Sequence, residues 1–317
     1  MAQGKDIKII CGNSNRPFAE SVCRNIGLRL GNADVSTFSD GEIAVSLQES
    51  VRGSDVFIIQ STCSPINDNL MEMLIMVDAC KRASASRVTC VMPYFGYARQ
   101  DRKAKARDPI SAKLVANLIT SAGTDRLLTM DLHAAQIQGF FDIPVDNLLG
   151  TPLFVDYYHK KFNGMDDVMI VSPDIGSVSR ARAFALKMRL GLAIIDKRRE
   201  KANQAEVMNI IGSVEGMRVI LFDDMVDTAG SLCEAAAALV EKGGAKEIYA
   251  CATHGVLSGA AIEQINNSPV KELVFSDTIP YSEDNQTDKI KLLTAAPLFA
   301  EAIKRIYEEV SISTLFR

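Results

Sequence analysis

A chain of 317 residues with 47% hydrophobic and 23% charged residues is long enough for two domains with real cores and too apolar to be disordered. A formal net charge of −4 argues against a general binder of nucleic acid or of anionic membranes, so any anionic ligand has to be met by local clusters of cations. The seven cysteines are odd in number, widely spread and never arranged Cys-x-x-Cys, which suits small core residues of a reducing compartment better than a disulfide framework or a zinc site. No apolar signal segment follows Met1, and no run of 18 apolar residues occurs, so a cytoplasmic location is expected.

Residues 7 to 11 read as a first strand, and Asn13 to Asn15 followed by Pro17 open a helix. Phe38-Ser39-Asp40-Gly41-Glu42 is a polar turn leading into the alternating strand 43 to 47. Residues 56 to 60 form a buried strand, and 67 to 83 a helix with Leu70, Met73, Leu74 and Val77 on one face; its methionines are core filler. The strand 88 to 92 runs into Pro93-Tyr94-Phe95-Gly96-Tyr97-Ala98-Arg99-Gln100-Asp101-Arg102, an aromatic, glycine-containing loop with arginines that suits nucleotide stacking and phosphate pairing. The basic run 102 to 107 lacks interleaved aromatics and reads as a solvated face or a phosphate effector site. After the strand 127 to 130 come Asp131 and His133, which share a face if the strand continues and can then contact a cation or its waters together.

Residues 144 to 152, bounded by prolines, suggest a linker between halves. The second half opens with strand 168 to 171 and Ser172-Pro173-Asp174, placing Asp174 at a strand's carboxyl end. Strands 192 to 195 and 207 to 211 bracket a charged tip, Asp196-Lys197-Arg198-Arg199-Glu200-Lys201-Ala202-Asn203, which reads either as a solvated loop or as a lid that brings cations to phosphoryl transfer. Val219 to Phe222 form a short buried strand, followed by Asp223-Asp224-Met225-Val226-Asp227-Thr228-Ala229-Gly230-Ser231 and a helix carrying Leu232, Ala235, Ala236, Leu239 and Val240. Small residues at 228 to 231, two hydroxyls and the positive end of a helix suit a phosphate, whereas the two acids need a hydrogen-bond donor or a divalent cation. A phosphate beside vicinal hydroxyls describes a pentose phosphate; the bland alternative is an ordinary turn with helix-capping residues. Strands near 244 to 254, 273 to 275 and 289 to 293 follow, then a helix 297 to 310 and an apolar tail. The stretch Gly123 to His133 parallels Gly244 to His254, each preceded by a strand and loop, which suggests an internal duplication.

The 219 to 231 stretch resembles the phosphoribosyl pyrophosphate loop of type I phosphoribosyltransferases and of ribose-phosphate pyrophosphokinases. The resemblance to the latter family continues along the chain through Phe-Ser-Asp-Gly-Glu, Tyr-Phe-Gly-Tyr-Ala-Arg-Gln, Asp-Leu-His, Ser-Pro-Asp and Asp-Lys-Arg-Arg, in family order. It departs mildly where Ala229 and Ser231 replace the frequent Gly and Thr. It implies an α/β fold of two similar type I phosphoribosyltransferase-like domains, each a mostly parallel sheet flanked by helices. The expected limits are 1–148, joined by the tail from about 300 to 317, and 149–299. It implies ATP contacts from Phe38, Asp40, Gly41 and Glu42, reaching across a subunit boundary, and from Arg99, Gln100, Asp101 and His133. It implies ribose 5-phosphate contacts from Arg199, Asp223, Asp224, Asp227, Thr228, Ala229, Gly230 and Ser231. Lys197 and Arg199 become the catalytic cations, and Asp131, His133 and Asp174 the holders of Mg2+. Ser50, Arg52, Ser311 and Ser313 become an effector site for phosphate or ADP in the phosphate-activated class, and the oligomer a hexamer.

The implied reaction moves the pyrophosphoryl group of ATP to the anomeric hydroxyl of ribose 5-phosphate and releases AMP. A phosphoribosyltransferase shares the Asp-Asp loop but has no need of Asp40, Glu42, Arg99 and Gln100 for ATP. A regulatory homologue without turnover is free to lose Lys197, Arg199, His133 and Asp174, all of which stand here.

Overall fold

A computed structural model describes residues 6–198, 207–282 and 287–316, and the elements below lie within them. The chain divides into two compact units: Met1–Leu149 with Thr278–Pro280 and Thr294–Arg317, and Gly150–Asp277 with Tyr281–Leu293.

The first unit runs β1 (Ile7–Cys11), α1 (Arg16–Ile26), β2 (Ala33–Thr37), β3 (Ile43–Leu47), β4 (Asp55–Ile59), α2 (Ile66–Arg82), β5 (Arg87–Met92), α3 (Ser111–Ser121), β6 (Arg126–Met130) and β7 (Val145–Leu148). Strands β1-β4-β5-β6-β7 form a parallel sheet in that order, and β2 and β3 pair as an antiparallel hairpin. Proline helps to start α1, where Asn15 accepts the Phe18 amide at 3.3 Å, and Gly27 ends it at φ 83°, a conformation that costs glycine little. Residues Val56 to Ile59 of β4 are all buried, as the strand of a doubly covered sheet must be. The stretch expected as a linker contains the fifth strand: β7 bonds along β6, and Pro152 stands in the first turn of the following helix. Proline there serves as helix punctuation, a role that leaves the chain fully structured.

The second unit runs α4 (Thr151–Lys161), β8 (Val168–Ser172), α5 (Val178–Met188), β9 (Gly191–Arg198), β10 (Val207–Ile211), β11 (Arg218–Val226), α6 (Gly230–Glu241), β12 (Glu247–Gly255), α7 (Ala261–Asn267), β13 (Val270–Ser276) and β14 (Ile290–Leu293). Its sheet has the order β10-β9-β8-β11-β12-β13-β14, parallel except for β10 against β9. Along β11, Val219 and Leu221 join the core with α6 and α7, while Ile220 and Phe222 join the opposite core with α4 and α5. Period-two alternation with both faces dry is what turns the strand into an unbroken apolar run. The helix α8 (Ala296–Tyr307) returns to the first unit, where Phe299 meets Phe18 edge to face at 5.4 Å.

Both units have the expected α/β class. They also place equivalent strands together: β5 lies beside β6, whose loop carries His133, as β11 lies beside β12, which holds His254. No disulfide joins the seven cysteines, and six of them are buried. Burial pushes the Cys80 and Cys90 thiols up to about 12, so they are inert core groups. Among the described residues no helix is long and apolar enough to cross a membrane.

Phe222 stacks on Phe184 at 4.4 Å and meets Phe154 edge to face at 6.0 Å. Phe222→Ala is therefore expected to cost about 3–5 kcal/mol. Denaturant unfolding of the full chain followed by circular dichroism measures it, and a loss below about 1 kcal/mol contradicts the packing described.

Candidate active site

In the first unit, the hairpin tip between β2 and β3 presents Phe38, Asp40, Gly41 and Glu42 to solvent. The Phe38 amide donates to Glu42 O at 2.7 Å, the Gly41 amide to Phe38 O at 2.9 Å, and the Glu42 amide to Asp40 Oδ1 at 3.2 Å. Gly41 has φ 95°, which this tight turn requires, and the Phe38 ring is 60% exposed.

That second loop leaves the carboxyl end of β5. Its backbone is held by Thr62, whose Oγ1 accepts the Gly96 amide at 2.7 Å, and a Cβ on Gly96 would meet Thr62 O at 2.4 Å. Glycine is thus required for close approach rather than for a special dihedral. Arg99 and Gln100 are exposed. The Ala112 amide donates to Gln100 O at 3.2 Å, fixing the loop to the start of α3. Asp101 Oδ2 accepts Gln136 Nε2 at 2.6 Å, which joins the loop after β5 to the loop after β6.

Asp131 and His133 stand in that next loop, but not in the way strand alternation predicts. β6 ends at Met130, Asp131 turns to φ 39° and is buried, and His133 is half-buried. The left-handed residue breaks the alternation, so the two side chains share a loop and not a strand face. Ser50 and Arg52 precede β4, with the Arg52 amide donating to Ser50 Oγ at 3.4 Å and its guanidinium to Ser84 Oγ at 3.2 Å. In the tail, the Ser311 and Ser313 hydroxyls are 2.8 Å apart, and Arg305 donates to Ser311 O at 3.0 Å.

In the second unit, β11 extends four residues beyond its apolar run. Asp223 and Asp224 are therefore strand residues paired along β12, not loop residues as the apolar run alone suggests. Asp227 begins the loop, its carbonyl taking the Ser258 amide at 3.0 Å and its carboxylate the Ser258 hydroxyl. Thr228 is exposed, and Ala229 caps α6 at φ 64° while its carbonyl accepts the Cys233 amide at 2.9 Å. Gly230 and Ser231 open the helix, so their amides have no intrahelical acceptor and stand at its positive end. Ala229 occupies a conformation that costs a residue with a Cβ roughly 1–2 kcal/mol, at the position where the resemblance expects glycine.

Asp174 follows β8, and its Oδ1 accepts the Ser177 amide at 2.8 Å in the turn before α5. The Ser177 hydroxyl donates to Asp223 Oδ1 at 2.7 Å, so one serine links Asp174 and Asp223. Arg180 lies 2.8 Å from Asp224 Oδ1 and 3.6 Å from Asp223 Oδ1. Sequence reasoning assigned nothing to Ser177 or Arg180; their only signal was their spacing of three and six residues after Asp174, on one face of a helix start. Burial and the neighbouring Asp224 carboxyl push Asp223 up to about 7, against the opposing pull of the Ser177 hydroxyl. Lys197 lies on β9 opposite Met208, and Arg199 lies outside the described residues.

A parallel sheet whose central strand ends in an acid pair and feeds a helix-start anion cradle defines an α/β protein equipped for a phosphate-bearing ligand. Residues 7–123 match the family described as the N-terminal domain of ribose phosphate pyrophosphokinase, and residues 198–317 match the phosphoribosyl synthetase-associated domain. A ribose-phosphate pyrophosphokinase of Caldanaerobacter subterraneus subsp. tengcongensis is 63% identical over 310 residues, 98% of each chain. One of Corynebacterium ammoniagenes is 55% identical over 98% of this chain and 97% of its own. A crystal structure of phosphoribosylpyrophosphate synthetase from Mycobacterium smegmatis superposes with a TM-score of 0.91 at 39% identity, covering 96% of this chain and 100% of that one. The chain belongs to the ribose-phosphate pyrophosphokinase family.

The raised Asp223 predicts a pH-dependent stability. An ordinary aspartate, as in the unfolded chain, releases its proton near 3.8, so between that value and about 7 the folded chain holds a proton that the unfolded chain has lost. Stability falls as pH rises through this window. Asp223→Asn, which keeps the Oδ1 acceptor, is expected to gain on the order of 1 kcal/mol over the parent at pH 8 relative to pH 4. Parallel urea titrations at the two pH values check it; an unchanged difference contradicts the assignment.

Proposed function

We propose that this protein is a ribose-phosphate diphosphokinase, transferring the β,γ-pyrophosphoryl group of ATP to the 1-hydroxyl of ribose 5-phosphate and yielding phosphoribosyl pyrophosphate and AMP for nucleotide biosynthesis. Membership of the family over nearly the whole chain carries this reading. The strand-end chemistry supports it residue by residue.

Ribose 5-phosphate is read at the end of β11. The 5-phosphate takes the amides and hydroxyls of Thr228, Ala229, Gly230 and Ser231, and the acids Asp223, Asp224 and Asp227 serve the sugar hydroxyls. ATP is read by Arg99, Gln100, Asp101 and His133, with Phe38, Asp40, Gly41 and Glu42 contributed from a neighbouring copy. That assignment agrees with a solvent-facing hairpin tip and with an exposed aromatic ring suited to stacking a base. The ATP half comprises 1–148 with the tail from about 300, and the sugar half 149–299.

The anomeric hydroxyl attacks the β-phosphorus in line with the departing AMP oxygen. Charge spreads over the transferring oxygens, so positioning and cations supply most of the rate. Lys197 and Arg199 are placed in that role, with Arg199 also contacting ribose 5-phosphate. Mg2+ is read as bound largely through substrate phosphates and one or two carboxylates. Asp131 and Asp174 offer the hard oxygens such a cation takes, and the His133 imidazole suits its waters or the phosphates. When bound, the cation neutralises phosphate charge and orients the triphosphate.

We further read the enzyme as a cytoplasmic hexamer of the phosphate-activated class, with phosphate or ADP held by Ser50, Arg52, Ser311 and Ser313. Activity in phosphate-free buffer equal to that with phosphate removes that class.

Incubation of the purified chain with ATP, ribose 5-phosphate and magnesium is expected to release AMP only when the sugar phosphate is present, in step with phosphoribosyl pyrophosphate. ADP in its place means an ordinary kinase, and no turnover favours a regulatory homologue. Lys197→Ala and Arg199→Ala are expected to lower turnover on the order of a hundredfold or more. The change in ribose 5-phosphate affinity should be much smaller, and equal losses in the two contradict the transition-state role.

A further inference from the structure

The two acids that end β11 are not equivalent. Asp224 is 3% exposed, and its Oδ1 is met by Arg180 at 2.8 Å. Asp223 keeps a side-chain exposure of 22%, and its Oδ1 accepts from the Ser177 hydroxyl at 2.7 Å and from the Asp224 amide at 2.8 Å. Oδ1 therefore has its donors already, and Oδ2 is the oxygen with acceptor capacity left for a ligand.

We propose that Ser177 and Arg180 are positioning residues for sugar recognition: Arg180 engages Asp224, and Ser177 fixes the Asp223 carboxylate so that Oδ2 accepts from a ribose hydroxyl. The proposal rests on the reading of this loop as the ribose 5-phosphate site. Asp223 then takes its sugar hydroxyl through Oδ2, and Arg180 holds Asp224 in place beside it. Both positioning residues sit at the start of α5, so the turn held by Asp174 also aims the pair. Loss of Arg180 leaves two adjacent carboxylates, one of them buried, without the guanidinium that faces both.

This arrangement makes a prediction that a merely structural arginine does not. Calorimetric titration of the full chain with ribose 5-phosphate is expected to show affinity falling on the order of tenfold in Arg180→Gln, and less in Arg180→Lys, which keeps the charge without the fork. The KM for ATP should stay unchanged in both. Parent-like binding by Arg180→Gln overturns the proposal, as does an equal rise in the KM for ATP.

Should Arg180→Gln lose its cooperative thermal transition, Ser177→Ala carries the test: weaker sugar phosphate binding with unchanged ATP KM is expected, and parent affinity overturns it. Failure of the unaltered chain to bind ribose 5-phosphate overturns the underlying functional reading and this proposal with it.

Discussion

Two carboxylates side by side at the end of a strand, in a sheet covered on both faces, set the terms for everything around them. The covering helices provide the stability that holds β11 straight through Val226, and they also remove the water that would otherwise solvate Asp224. Two like charges at contact distance in such surroundings repel strongly enough to bind a proton or to demand a cation. The fold meets this with Arg180 on α5, the serine hydroxyl at the start of the same helix, and a raised Asp223. The helix that covers one face of the sheet thus also supplies the groups that make the acid pair tolerable.

Much of this architecture was legible in the sequence because buried parallel strands leave a simple mark. Val219 to Phe222 and Val56 to Ile59 are apolar on both faces, Val88 to Met92 is interrupted only by Thr89, and each was recognised as a strand. The ends of strands were harder to read. β11 continues through Asp223 and Asp224 because β12 beside it supplies backbone partners as far as Gly255, a long-range pairing that no local pattern reports. At Asp131 the opposite happens: the alternation that would have extended β6 is broken by a left-handed residue. The 144 to 152 stretch was read as a linker because two prolines outweighed the short strand Val145–Leu148 between them, which pairs along β6.

The site residues divide in the same way. Those whose chemistry is conspicuous in one dimension, such as the Asp-Asp-x-x-Asp-Thr loop or the aromatic and arginine loop after β5, were named from sequence. Those that act through another residue were not. Ser177, Arg180 and Gln136 acquire meaning only once neighbouring strands are adjacent: Ser177 and Arg180 reach the acids of β11, and Gln136 reaches the loop after β5.

Charge balance ties these observations to the chain's composition. A protein of net charge −4 that handles sugar phosphates and a nucleotide triphosphate cannot rely on its overall field. Each anionic ligand has to be met by local donors, and each nearby acid has to be neutralised locally as well. At roughly 6 Å and an effective dielectric near 20, an unpaired carboxylate repels a unit phosphate charge by about 3 kcal/mol, enough to cancel much of what a helix end provides. The Arg180 guanidinium beside Asp224, and the proton-retaining tendency of Asp223, reduce that repulsion a few residues from the amides of Gly230 and Ser231. Acids needed for hydroxyl recognition can then stand beside a phosphate cradle because the fold, and not the ligand, carries most of their charge.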